Sequence, residues 1–108
     1  MFDEFEEKIL TCGYFVVLDW QKDQVKLKST ETKQYWIMKK FSKEGYPGLV
    51  LYHSHDGGQY HVHFCYKDQS VMPAVSEVMS HDRYQKKKMK LRKKITNVSN
   101  MALMRAIG

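Results

Sequence analysis

Two runs of alternating residues constrain this chain more than any other feature. Leu49-Val50-Leu51-Tyr52-His53-Ser54-His55 and Gln59-Tyr60-His61-Val62-His63-Phe64-Cys65-Tyr66 flank the turn Asp56-Gly57-Gly58. Period-two alternation on both sides of a glycine-containing turn specifies a β-hairpin, and a lone hairpin needs further strands or a helix before it is stable. With Asp56-Gly57-Gly58 as a three-residue loop, His55 opposes Gln59, His53 opposes His61 and Leu51 opposes His63. Val50, Tyr52, Ser54, Tyr60, Val62, Phe64 and Tyr66 then share one face, expected to be the core face. His53, His55, His61 and His63 share the other with Leu49, Leu51 and Cys65, and this face is expected to stay partly open. A slip of one residue would pair His53 with Val62 and mix both faces, so the pattern favours the clustered register.

The rest of the chain supplies the partners such a hairpin requires. Phe2, Phe5 and Ile9 lie three and four apart among Asp3, Glu4, Glu6 and Glu7, the spacing of a short amphipathic helix that stops at Gly13. The apolar run from Tyr14 to Trp20 reads as a central strand, Val25 to Lys28 as a half-exposed one, and Gln34 to Phe41 as a third. Ser42 to Gly48, with Gly45, Pro47 and Gly48, reads as a loop. Ser70 can cap a helix with Pro73 in its first turn. Val71, Val75, Val78 and Met79 give that helix an apolar stripe, which falters at Ser80-His81-Asp82-Arg83 and resumes thinly as Tyr84, Leu91 and Ile95. Asn97 to Asn100 break the pattern, leaving Met101 to Ile107 as a tail.

The expected fold is therefore α+β: a short N-terminal helix, an antiparallel sheet of about five strands including the histidine-rich hairpin, and a long basic C-terminal helix. At 108 residues the chain makes one domain, 1–108, with 83–108 as a basic helical extension. No apolar run approaches the roughly 18 residues of a membrane span. The acidic start, Met1 to Lys8, is unlike a secretory signal, so a cytosolic protein is expected, with Cys12 and Cys65 as reduced thiols. Cys12 reads as a packing residue, Cys65 as an ordinary strand residue on the histidine face, and Trp20 and Trp36 as core or rim.

The formal charge of +6 averages unequal parts. Residues 1–24 sum to −4, residues 25–70 to +3 and residues 71–108 to +7. Lys86, Lys87, Lys88, Lys90, Arg92, Lys93 and Lys94 fall within nine consecutive positions. No acid follows Asp82, so these cations repel one another unless a polyanion neutralises them. The first functional expectation is accordingly a nucleic-acid-binding protein whose basic helix contacts phosphates. A membrane surface suits the segment less well, because it lacks a broad apolar face with Trp or Phe.

The histidines carry the second expectation. Opposed residues on antiparallel strands lie close enough for His53 and His61 to share an ion, with His55 and His63 assisting. Imidazole suits Zn or another divalent transition metal. The same opposed pair, His53 and His61, could serve as catalytic acid and base in a small ribonuclease or a metal-dependent phosphoesterase. The plain alternative is half-exposed sheet residues, and His81-Asp82 reads as a surface pair on the helix. A third expectation is a protein partner: a phage or mobile-element inhibitor of a nucleic-acid-processing enzyme.

Overall fold

A computed structural model describes the backbone of residues 1–107 and the side chains of residues 1–96. The chain runs α1 (Glu4–Leu10), β1 (Phe15–Trp20), β2 (Gln24–Ser29), β3 (Tyr35–Lys43), β4 (Tyr46–Ser54), β5 (His61–Tyr66) and α2 (Met72–Ile107). The five strands form one antiparallel meander in the order β1-β2-β3-β4-β5. The α+β architecture expected from the sequence is the one observed. Among the described residues, no helix is long and apolar enough to cross a membrane.

Local chemistry explains the element ends. Asp3 caps α1 by accepting from the Glu6 amide at 2.8 Å, while the Glu6 carboxylate accepts from the Asp3 amide at 3.1 Å. This reciprocal capping box satisfies two amides that a helix start leaves free. The buried stripe of this segment is Phe2, Glu6 and Leu10, and Phe5 faces solvent, so the expected Phe5 face is outward. Glu6 is buried because it also accepts from Lys40 Nζ at 2.7 Å and from the Val71 amide at 2.9 Å. Burial alone would raise its pKa, but these donors outweigh that and hold it below the usual carboxylate range.

The segment expected as a loop, Ser42 to Gly48, is instead a tight hairpin. Glu44 and Gly45 both have positive φ, at 54° and 79°. That pair gives the two-residue turn whose twist matches its strands, so β3 and β4 run to its edge. Gly48 is needed there, because a Cβ would come within 2.3 Å of the Phe41 ring.

Both helices cover one face of the sheet, and it is the histidine side of the hairpin, not the face expected as core. The buried set is Val25 and Leu27 of β2, Trp36 and Met38 of β3, and Leu49 and Leu51 of β4, closed by Phe2, Leu10, Phe15, Val71, Ala74, Val75 and Val78. Cross-strand register decides the matter. Val25 pairs with Met38 and Met38 with Leu51, while Leu27 pairs with Trp36 and Trp36 with His53. His53 thus sits in the same ladder as the most apolar residues of β2 and β3, and goes under the helix with them. On the opposite, open face Lys26, Ile37, Tyr52 and Val62 form one ladder.

The hairpin also departs from its expected register. Leu51 pairs with Phe64 and Tyr52 with Val62, so His63 is the extra residue of a β-bulge. The bulge turns Phe64 and Tyr66 to the helix side, where they line a hollow with Pro73, Ser76, Glu77 and Ser80. It sends Cys65 opposite Val50 and out to solvent, off the histidine face. Cys12 is exposed as well, rather than packed. His55 pairs with no residue of β5, because Gly57 has φ +84° and the connection tightens on its own bonds: the Gly57 amide to Ser54 Oγ and the Gly58 amide to Asp56 Oδ1.

Candidate functional site

The chain contains five histidines, and the fold brings all of them to one place. His53 is the hub: its ring centroid lies 5.1 Å from His61, 5.9 Å from His63, 5.8 Å from His55 and 4.8 Å from His81. The fully buried Trp36 forms the floor, with its centroid 4.3 Å from His53, 5.3 Å from His63 and 5.0 Å from His81. The pairing expected between His53 and His61 is present. One ring nitrogen from each of His53, His61 and His63 lies within 4.8 Å of the other two. His55 reaches the cluster's edge from the turn.

Two rings have oxygen acceptors at Nε2. His53 bonds Gln34 Oε1, and His63 bonds Glu77 Oε1 at 2.9 Å. An oxygen acceptor requires the proton to sit on Nε2, which leaves the Nδ1 lone pair of a neutral ring free. Burial, then the neighbouring imidazoles of His81, His61, His63 and His55, bring the pKa of His53 down to about 4. Burial and His63 lower His81 as well, against the opposing pull of Asp82 and Glu77. His53 is 4% exposed. That burial and low pKa argue against His53 as the acid of the catalytic pair expected with His61, since a general acid needs access and a pKa near the working pH. His61 remains exposed.

His81 was not among the expected site residues, and the surface reading of His81-Asp82 is overturned. Asp82 is 1% exposed and accepts from three hydroxyls: Tyr14 at 2.6 Å, Thr32 at 2.8 Å and Ser29. His81 is half-buried, and its Nδ1 is buried with no hydrogen-bond partner. The signal was available in the stripe itself. Val71, Ala74, Val75 and Val78 continue at helical spacing to positions 81 and 82, so polar identity concealed an inward face.

Beyond Asp82 the helix changes character. Arg83, Tyr84 and every residue from 86 to 96 are exposed. Lys86 pairs with Glu31, and Arg83 donates to Ser80 Oγ. Lys87, Lys88, Lys90, Arg92, Lys93 and Lys94 have no ion-pair partner among the described residues. At 1.5 Å per residue the 36-residue α2 is about 54 Å long. The molecule accordingly measures 69 × 27 × 23 Å, with the basic segment projecting from the sheet. The tail from Asn97 continues the same helix, so the asparagines do not end it.

No family model, curated protein or solved structure matches this chain.

Proposed function

We propose that this protein binds nucleic acid by laying the projecting basic segment of α2 against the phosphate backbone. The observation that carries this reading is the exposure of Lys87, Lys88, Lys90, Arg92, Lys93 and Lys94 on a helix that has left its own domain, with no acidic partner among the described residues. Such an array stabilises the folded chain little and repels itself, and a polyanion relieves that repulsion while releasing its own condensed counterions. Contacts of this kind set affinity and orientation and read little sequence.

The open sheet face offers a second cationic surface. Lys26 and Lys28 lie there beside tyrosines, with Lys26 Nζ 5.4 Å from the Tyr60 ring centroid and Lys28 Nζ 5.2 Å from that of Tyr35. Lysine interleaved with aromatic rings suits single strands, whose bases stack where a duplex cannot. The helix is the main contact in this reading and the sheet face an accessory one.

The test is fluorescence anisotropy with labelled single-stranded RNA and duplex DNA across a salt series. Affinity is expected to fall steeply with salt, and replacing Lys87, Lys90 and Lys94 together by Glu should weaken binding at least tenfold with the fold intact. A flat salt response, or unchanged binding by the triple variant, overturns the reading. Running the products on a gel in parallel detects cleavage, which would assign an enzyme instead.

A further inference from the structure

Asp82 with its hydroxyls and the Glu6–Lys40 pair are internally satisfied. The histidine cluster is not. The buried His81 Nδ1 and the buried Trp36 Nε1 both lack a hydrogen-bond partner, and the two rings meet edge to face. Orphaned buried polar atoms are rare in folded proteins; the Trp36 N–H is a donor and takes no metal, whereas an imidazole nitrogen such as His81 Nδ1 can offer a lone pair to a cation.

We propose that His53, His61 and His63 bind a divalent transition metal of zinc's class, with His81 of α2 as the fourth ligand. Three ring nitrogens already lie within 4.8 Å of one another, on two adjacent strands and across a bulge that adds His63 to the group. Zinc–nitrogen bonds of about 2.0–2.1 Å in a tetrahedron place the donors roughly 3.4 Å apart, so the exposed His61 turns inward and the cluster contracts. The outer contacts are those a metal-binding imidazole uses. His53 donates through Nε2 to the Gln34 carbonyl and His63 through Nε2 to the Glu77 carboxylate, which fixes both rings with Nδ1 as the donor. A soft or borderline ion fits four imidazoles, whereas calcium and magnesium require oxygen.

The location gives the ion a mechanical role. Three ligands belong to β4 and β5, and the fourth belongs to α2 immediately before Asp82, the last buried residue of the helix among those described. A metal there ties the root of the basic arm to the hairpin. Four protein ligands close the coordination sphere, which is the pattern of structural rather than catalytic zinc. This inference is independent of nucleic-acid binding, because it uses none of the lysines.

The experiment titrates the chelator-treated full chain with Zn²⁺ in competition with a chromogenic chelator, and with Co²⁺ for its visible absorption. One zinc per chain is expected, with a rise in Tm that excess chelator reverses and a tetrahedral Co²⁺ spectrum. His61→Ala, an exposed position that leaves the core untouched, should weaken zinc at least tenfold. His81→Ala should do the same and alter the Co²⁺ spectrum, and Glu77→Gln should weaken zinc about tenfold through its hold on His63. The variant K87E/K90E/K94E should bind zinc normally, whatever it does to nucleic acid. Absence of stoichiometric zinc, or zinc held equally by the folded His61→Ala and His81→Ala variants, overturns the proposal.

Discussion

The two parts of α2 are one continuous helix under opposite constraints. From Met72 to Asp82 it is specified by what lies beneath it: Val75 and Val78 in the core, His81 against Trp36, and Asp82 under three hydroxyls. Beyond Asp82, among the described residues, the helix holds the domain only through the exposed Lys86–Glu31 pair, and from Lys87 to Thr96 every residue is exposed. The proximal part therefore governs stability and the distal part is free to serve a partner. Substitutions should separate the two cleanly.

The largest expected effect is at Asp82. Asp82→Ala leaves Tyr14, Ser29 and Thr32 without their acceptor, at a cost of about 3 kcal/mol and a fall in Tm of roughly 10 °C or more. Thermal unfolding followed by circular dichroism reads this directly. A loss under about 1 kcal/mol would mean that the apolar stripe alone holds the helix.

Acid should act on the same part of the molecule. His53 in the folded chain titrates at about 4, against an ordinary value of 6.5. Above pH 6.5 the folded and unfolded forms are both neutral, and the ring contributes nothing to the pH dependence. Below it the unfolded chain takes up a proton that the buried ring refuses, so metal-free stability should fall between about pH 6.5 and 4 and then level off. The loss from His53 is roughly 3 kcal/mol, and His81 adds in the same direction. Urea midpoints measured in chelator across that range check it, and a flat profile would contradict the buried neutral cluster.

The distal part should respond in the opposite way. K87E/K90E/K94E should leave the stability within about 0.5 kcal/mol of the parent while nucleic-acid affinity drops at least tenfold. The slope of log affinity against log salt on duplex DNA should shrink by about 2.7, the share of three phosphate contacts. The smallest effect belongs to the junction. Glu31→Gln removes the exposed partner of Lys86 and should cost no more than about 0.5 kcal/mol, while freeing one further cation for phosphate. A larger loss would place the end of the structurally held helix beyond Asp82.

The covered and open faces of the sheet make a second contrast, and they locate the limit of what alternation can convey. Within the hairpin, Val50, Tyr52, Val62 and Phe64 are as apolar as Leu49 and Leu51, so period two separates the faces without saying which one is buried. The decision comes from β2 and β3, where Val25, Leu27, Trp36 and Met38 all stand on one side and are registered against Leu51 and His53. The bulge at His63 was equally hidden, since an extra residue in a strand leaves no local mark in the alternation. His81 was hidden for another reason: its position continued the apolar stripe while its chemistry did not.

By itself the sequence determined the element order, the antiparallel hairpin, the pairing of His53 with His61 and the concentration of positive charge at the C-terminal end. Each of these follows from local periodicity, turn chemistry or composition, which act over a few residues and need no knowledge of neighbours. Only the tertiary structure decided which sheet face is covered, that His81 joins the hairpin histidines, and that Asp82 is the last anchor before the helix leaves the domain. Those outcomes depend on summing apolar area and hydrogen-bond partners across strands and helices far apart in the chain. The same fold that buries Trp36 and Leu51 therefore carries His53 inward with them and makes a cluster out of five scattered histidines.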